Sequence, residues 1–195
     1  MGLPAVAQPQ QGLTLTIIPH AYPNIVRQQD IISIADSSSH FHVLLTNTSA
    51  QPINIFEEWN TWGYYNLFFE LTYPDGRKKT VSKGAENWYR NFPSTTVIPA
   101  GRSFVFDVNF DNDSTHRPYW YNSVLNEKGY STECRMRAIY HCEDSEIAHK
   151  KRAWTGTLTS ETRDYIFYHL DPALAAQKVS VSKPRKRRFL FFSPR

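Results

Sequence analysis

Residues 41–56 read FHVLLTNTSAQPINIF. Phe41, Val43 and Leu45 alternate with other positions, so their side chains share one face if the segment is a β-strand. An Asn-Thr-Ser turn at residues 47–49 follows, and after a proline the chain resumes with a second short apolar run at residues 53–56. The stretch therefore predicts two short strands joined by a turn, which is typical of an antiparallel β-sheet protein.

The same alternation recurs along the chain. Residues 103–110 place three phenylalanines and a valine on one face, and the Pro-Asp-Gly sequence at 74–76 predicts a hairpin turn. Helical periodicity is nearly absent, and only residues 118–128 and 172–178 allow a turn or two of helix. Because a parallel α/β fold needs crossover helices, we expect an all-β, two-sheet antiparallel sandwich with an undetermined strand order. Besides 103–110, the predicted strands are 13–18, 31–34, 41–46, 53–56, 67–73, 77–81, 96–98, 134–142, 154–159 and 165–169.

The charge is distributed unevenly along the chain. Residues 171–195 hold seven of the 22 basic residues and one of the 18 acidic residues, so residues 1–170 have 15 basic against 17 acidic side chains. The net charge of +4 thus divides into −2 for residues 1–170 and +6 for the rest. We predict a flexible lead at 1–12, the sandwich at 13–170 and a disordered basic tail at 171–195. The predicted sandwich lacks the basic charge typical of nucleic-acid binding, so nucleic acid is not an expected partner.

Two longer strings resemble a known family. VLLTNTSAQPINI at 43–55 and IPAGRSFVFDV at 98–108 resemble the strand–turn–strand patterns of bacterial immunoglobulin-like domains. They are similar to the intracellular proteinase-inhibitor type and to envelope proteins built on that domain. The resemblance covers residues 13–169 and implies an immunoglobulin-like fold. No inhibitory loop or ligand motif of the family matches positions here, so no functional residue is implied.

Aromatic residues concentrate in the predicted loops. Flat rings flanked by Asn and Glu stack on sugars and also form the energetic centres of protein interfaces. The alternative is that these rings close the ends of the sandwich and pack beneath the loops. The first interpretation predicts a ligand-binding site formed by Trp59, Trp62, Tyr64, Tyr65, Trp88, Tyr119 and Trp120.

Other side chains are weaker candidates for chemistry. His40 and His42 share one face of a predicted strand, but alternation points both toward solvent rather than into a metal site. Two adjacent carboxylates at 57–58, with Glu70 nearby in sequence, provide a hydrolase alternative, although neighbouring strand residues face opposite ways. Cys134 and Cys142 lie eight residues apart on one predicted strand, about 27 Å if unbroken, which is too far for a disulfide. We expect two reduced, inward-facing thiols.

The tail combines positive charge with large apolar residues. Its sequence KPRKRRFLFF begins at residue 183, and such a segment could attach to an anionic membrane surface or to an assembly partner. A nuclear-import-like signal, a nucleic-acid arm and a tail without a specific role are the alternatives. The predicted docking residues are Lys183, Arg185, Lys186, Arg187 and Arg188.

Together these features predict a non-enzymatic binding module for a protein or a glycan, with no cofactor. The alternatives are a proteinase-inhibitor-like domain and a β-sandwich hydrolase or metal-binding protein. No run of the sequence approaches the ~20 apolar residues that cross a bilayer as a helix. The tripeptide Ala-Val-Ala at 5–7 resembles the end of a signal peptide, but the charged and apolar parts of a signal are missing. A secreted or cell-envelope location is therefore one expectation among others.

Overall fold

The computed structural model describes residues 12–19, 30–34, 40–110, 120–121 and 131–168. Of these residues 54% lie in strands and 8% in helices, so the all-β prediction is confirmed. The two helices are α1 (Thr61–Tyr64) and α2 (Glu146–Lys151). The strands are β1 (Leu13–Ile18), β2 (Asp30–Ser33), β3 (Phe41–Asn47), β4 (Ile53–Phe56), β5 (Leu67–Thr72), β6 (Lys78–Lys83), β7 (Thr95–Ile98), β8 (Ser103–Val108), β9 (Trp120–Tyr121), β10 (Ser131–Cys142), β11 (Gly156–Thr159) and β12 (Arg163–Tyr168).

The described strands form three sheets rather than the predicted two. One has the order β1-β3-β8, and a larger one has the order β2-β12-β10-β5-β6-β9 with β11 paired to β10. Strands β4 and β7 form a separate two-stranded sheet. The pairing is antiparallel except between β2 and β12, which run parallel, so the wholly antiparallel prediction is wrong for that pair.

The first two sheets bury their apolar faces against each other. Phe41 on β3 meets Phe69 on β5 with ring centroids 5.6 Å apart, and Phe106 on β8 lies 5.9 Å from Tyr140 on β10. All four rings are at most 2% exposed. Each such buried side chain stabilises the fold by roughly 1.5–3 kcal/mol relative to an exposed one, so this layer is the main source of cohesion.

Asn47 joins the turn at 47–49 to the turn at 99–101. Its side-chain amide nitrogen donates to the carbonyl oxygens of Gln51 at 2.8 Å and Ile98 at 2.9 Å. Its side-chain oxygen accepts from Ser49 N at 2.9 Å, and the Gly101 amide donates to the Asn47 carbonyl at 2.9 Å. The two sequence strings that carry the family resemblance are therefore directly hydrogen-bonded neighbours.

The two described helices lie outside the segments in which the hydrophobic pattern of the sequence allowed a helix. Ser145 caps α2 through its hydroxyl, which accepts from the Ala148 amide at 3.3 Å. In the segment 118–128, the described residues Trp120 and Tyr121 form β9 and not a helix. The predicted helix at 172–178 lies outside the described residues. Both helices are too short for a 3.6-residue period to repeat, which is why the sequence pattern missed them.

The predicted domain boundaries fall mostly outside this part of the chain. Every described helix and strand lies between Leu13 and Tyr168, within the predicted sandwich. The predicted lead and tail are not described, apart from Gly12, and stay predictions. None of the helices in the described segments is long and apolar enough to traverse a bilayer.

The cysteines are arranged as the strand spacing predicted. Cys134 and Cys142 are both buried and free, and both lie on the long strand β10, which ends at Cys142. Burial raises the pKa of the Cys134 thiol from 9.0 to about 12 and that of Cys142 from 9.0 to about 11. Both thiols therefore keep their protons at neutral pH, a state in which they are poor nucleophiles.

The raised thiol pKa values predict a loss of stability at alkaline pH. The unfolded chain releases these protons near pH 9, whereas the folded protein retains them, so the stabilising contribution is complete below about pH 9 and is lost as pH rises through the folded values. When the pH rises from 8 to 10, the free energy of unfolding of the wild type should fall by about 1 kcal/mol more than that of Cys134→Ala, because the variant has no thiol at this position. Urea unfolding at both pH values measures this difference, with the exposed-site variant Ser131→Ala as control. Equal losses in Cys134→Ala and the wild type would contradict the expectation.

Candidate functional site

A single helical turn positions the first group of aromatic side chains. Asn60 precedes α1, and its side-chain oxygen accepts from the amides of Trp62 at 3.1 Å and Gly63 at 3.2 Å. Its amide nitrogen donates to the Ser94 carbonyl at 3.3 Å and to the Ser94 hydroxyl at 3.2 Å. Asn is among the residues best suited to this capping position, and here it also anchors the turn to the segment before β7.

Trp59 lies just before this turn and is held by a carboxylate. Its indole Nε1 donates to Glu57 Oε2 at 2.6 Å, and the Ser94 hydroxyl donates to the same carboxylate oxygen. The ring packs edge-to-face on Phe92 at 4.7 Å, and the side chain remains 40% exposed. Trp59 is therefore an exposed ring with a restrained orientation, which lowers the entropy cost of binding a ligand to it.

Tyr64 and Trp88 come together from different segments. Their ring centroids lie 5.2 Å apart with an interplanar angle of 84°. Tyr64 is 4% exposed, Trp88 is half-buried, and Tyr65 packs edge-to-face on Tyr64 at 4.9 Å while remaining exposed. The structure thus brings three of the predicted rings, Trp59, Tyr64 and Trp88, close together.

These rings line a cleft of about 350 Å³, which we call the aromatic cleft. It contains three rings, three carboxylates and one amine, contributed by the region around α1, by β6 and the segment after it, and by β8. Its lining residues are Trp59, Tyr64, Trp88, Glu58, Glu86, Asp107 and Lys83. The charged members make it a polar as well as an aromatic site.

Lys83 lies at the buried end of the cleft. Its Nζ donates to Glu58 Oε1, and it lies 4.9 Å from the ring centroid of Tyr64 and 5.6 Å from that of Trp120. Burial lowers the pKa of Lys83, while the nearby Glu58 carboxylate acts in the opposite direction. A buried amine needs such a partner, because an unpaired charge in this position would cost several kcal/mol.

Trp120 is a correction to the predicted ligand-binding set. Its side chain is fully buried, and its ring lies 5.3 Å from Phe69 and 5.8 Å from Phe110. As the cross-strand partner of Lys83, it supports the buried end of the cleft and presents no face to solvent. Its aromatic, polar neighbourhood in sequence resembled a loop, but pairing of β9 with β6 drew it into the core.

The remaining predicted rings do not line the aromatic cleft. Trp62 is half-buried and packs against the core cluster. Tyr65 packs on Tyr64 but does not itself line the cleft. Tyr119 lies outside the described residues, as do the tail residues Lys183, Arg185, Lys186, Arg187 and Arg188, and their predicted roles stay predictions.

The alternative catalytic and metal-binding residues are dispersed. His40 and His42 are exposed, and His42 Nδ1 lies 2.7 Å from Asp107 Oδ1. In the described part of the chain no group of three or more His, Cys, Asp or Glu side chains is arranged to hold a metal. Glu57 and Glu58 have different partners, and Glu70 binds Arg137 at 2.6 Å across β5 and β10.

A second, larger groove lies on the outer face of the β5-β6-β10 region, with a volume of about 570 Å³. Lys78, Lys79, Arg135 and Arg137 line it together with Glu70. The ion pair between Arg137 and Glu70 neutralises part of its positive charge. It contains no aromatic ring, so it offers solvated polar contacts rather than an enclosed binding surface.

Sequence reasoning missed Lys83, Glu86 and Asp107 as parts of the site. For Lys83 a signal was present, because Val81 is buried and a residue two positions along a strand points to the same face. A lysine at an inward position indicates a buried partner or a functional site. Glu86 and Asp107 carry no comparable signal, since only the fold brings them near the rings.

Comparisons with protein-family models, with curated proteins and with solved structures found no match to this chain. The geometry of the aromatic cleft is therefore the basis for assigning a function.

Proposed function

We propose that this chain is a non-enzymatic binding module that recognises a protein or a glycan through the aromatic cleft. The observation that carries the proposal is the convergence of Trp59, Tyr64 and Trp88, from two separate segments, on one cleft. Clefts lined by rings and a few placed polar groups are the usual form of ligand sites. Trp and Tyr also contribute disproportionately to binding free energy at interfaces.

The arrangement of the charged groups supports binding rather than hydrolysis. Glu57 holds the Trp59 indole, and Glu58 neutralises Lys83. Carboxylates committed in this way orient and stabilise neighbouring side chains. A glycosidase would need two carboxylates facing each other across a bound sugar.

We also propose that the fold is an immunoglobulin-like sandwich. Support comes from the three-stranded sheet β1-β3-β8, whose buried face packs against the larger sheet through Phe41 and Phe69. The Asn47 hydrogen bonds, which join the two strings that resemble the family, provide further support. In this arrangement the aromatic cleft would lie among the segments that connect the strands, where binding sites of sandwich folds are common.

The proposal predicts that two ring truncations reduce ligand affinity. We expect Trp59→Ala and Trp88→Ala each to weaken a ligand found by peptide or glycan array screening by at least ~10-fold, because each removes a large apolar contact. Isothermal titration calorimetry of the full chain measures the affinity, and thermal melting checks the fold. Tyr89→Ala is the matched control, since Tyr89 adjoins Trp88 but is 98% exposed and does not line the cleft. Ligands that bind both tryptophan variants as tightly as the wild type would refute the proposed site.

A further inference from the structure

The charged side chains of the aromatic cleft are committed to partners within the protein. Lys83 Nζ pairs with Glu58 Oε1, and His42 Nδ1 lies 2.7 Å from Asp107 Oδ1. Glu86 also has an interaction partner. A charged ligand therefore gains little from these lining groups, because each already interacts with another group. What the cleft offers to a ligand is mainly the surface of its three rings.

Two exposed rings extend this aromatic surface beyond the cleft. Phe92 packs on Trp59 with ring centroids 4.7 Å apart, and Tyr65 packs on Tyr64 at 4.9 Å. Phe92 and Tyr65 are 53% and 44% exposed. Exposed apolar surface that adjoins a cleft is typical of a site that another segment covers. The cleft and its surroundings thus favour an apolar, aromatic occupant.

The tail of the same chain carries a segment of this kind. Residues 189–192 read Phe-Leu-Phe-Phe and directly follow the five basic residues at 183–188. The formal charge is +6 for residues 171–195 and −2 for residues 1–170. Charges of opposite sign attract the tail to the rest of the chain at low ionic strength, and this attraction requires no unpaired carboxylate in the cleft.

The chain between the sandwich and this stretch is long enough for the contact. Phe189 lies 21 residues after Tyr168, which is the last described residue. A chain of that length spans up to about 70 Å when extended. A domain of this size has a radius of gyration of about 15 Å, so a path over its surface to the opposite side is about 60 Å long. Residues 189–192 can therefore reach the aromatic cleft of their own chain.

We propose that residues 189–192 occupy the aromatic cleft of their own chain and must be displaced before a partner binds there. The inference rests on the proposed binding function and adds a regulation of the same site. Burial of phenylalanine side chains against Trp59, Trp88 and Phe92 stabilises the contact. A tether of this kind gives an effective concentration of about 1 mM, so a contact with a dissociation constant of about 0.1 mM between separate molecules occupies about nine-tenths of the clefts.

The first test compares two double variants of the full chain. Phe189→Ser combined with Phe191→Ser removes two rings of the apolar stretch. Val179→Ser combined with Val181→Ser is the matched control, because it removes two apolar side chains from the same tail. Both double variants keep every basic residue, so the charge of the tail is unchanged, and thermal melting checks that both are folded.

The indole N–H signals in the NMR spectrum report on the cleft, and single Trp→Phe variants assign them. We expect the signals of Trp59 and Trp88 to shift in the phenylalanine double variant, because their rings lose a contact, and to stay unchanged in the valine double variant. Trp154 does not line the cleft, so its signal is the internal control. The shifts should be equal at about 20 μM and about 500 μM protein, since occupancy by the same chain does not depend on protein concentration.

A second test uses a synthetic peptide with the sequence of residues 183–195. The peptide should bind the phenylalanine double variant about 10-fold more tightly than the wild type, because the tail already occupies most wild-type clefts. Titration of the Trp59 and Trp88 signals measures both affinities. A peptide with serine in place of Phe189 and Phe191 is the control, and we expect it to leave these signals unchanged.

The possible failures are distinguishable. Unchanged Trp59 and Trp88 signals in the phenylalanine double variant would overturn the inference, and so would equal shifts in the valine double variant or equal affinity of the peptide for the variant and the wild type. Shifts that increase with protein concentration would indicate a contact between copies and overturn the contact within one chain. A ligand from the array screen that loses affinity in Trp59→Ala would still leave the proposed binding function intact. Loss of the tail contact together with ligands indifferent to Trp59→Ala and Trp88→Ala would overturn both.

Discussion

Trp120→Ala is expected to lower the free energy of unfolding by about 3–5 kcal/mol, the largest effect of any single substitution considered. Trp120 is fully buried, and its ring packs on Phe69 at 5.3 Å and on Phe110 at 5.8 Å. Truncation removes these contacts and leaves a cavity that the rigid sheets cannot fill by moving. It also exposes one side of the buried Lys83 amine, which loses its contact with the Trp120 ring and keeps the one with Tyr64.

Urea unfolding of the full chain measures the Trp120→Ala effect. Tyr121→Ala is the matched control, because Tyr121 is the next residue of β9 but is 55% exposed. We expect this control to stay within about 0.5 kcal/mol of the wild type. Similar stability of Trp120→Ala and the wild type would mean that Trp120 is not a core residue, and its place in the ligand-binding set would be open again.

Gly63→Ala is expected to destabilise the protein by about 3 kcal/mol, at the upper end of the usual cost of overpacking. A Cβ at position 63 would lie 2.3 Å from the Glu57 carbonyl oxygen and 2.7 Å from the Phe56 carbonyl oxygen. Both are backbone atoms, so the clash is relieved only if the connection between β4 and α1 moves. That connection carries Glu57, Glu58 and Trp59, so we also expect weaker ligand binding at the aromatic cleft.

Gly76→Ala separates this steric effect from the loss of glycine itself. Gly76 has a positive φ of 85°, and no heavy atom beyond the glycine and its two chain neighbours lies within 4 Å of the position a Cβ would take. Its replacement should cost only the ~1–2 kcal/mol of a left-handed backbone and should leave the cleft unchanged. Thermal melting and ligand titration of both variants test the difference. Tolerance of Gly63→Ala at wild-type stability and affinity would show that the close approach of the two segments is not required.

Some elements followed directly from sequence patterns, and others did not. Phe41, Val43 and Leu45 alternate on β3 and are all buried, as the period-two pattern predicted. Cys134 and Cys142 are free, as expected from the length of strand that separates them. The helix α1, in contrast, is one turn long, and its signal is the capping residue Asn60 rather than any period.

The aromatic residues show what a local sequence pattern cannot predict. Trp59 and Trp120 both lie in polar, aromatic stretches, yet one is 40% exposed and the other is fully buried. Their difference depends on partners far away in sequence, since Trp120 pairs opposite Lys83 and contacts Phe69. No pattern within a few residues of either tryptophan contains that information.

The sequence by itself determined the all-β class, most strand positions, the free cysteines and the uneven charge, because each depends on neighbours along the chain. Side-chain alternation has a fixed period, and charge and spacing can be counted. Only the tertiary structure decided the parallel pairing of β2 with β12, the burial of Trp120 and the aromatic cleft. The cleft unites Trp59, Lys83 and Asp107, which are separated by more than 20 residues in each step along the chain. Their proximity is a consequence of how the sheets pack, and packing is a property of the whole chain.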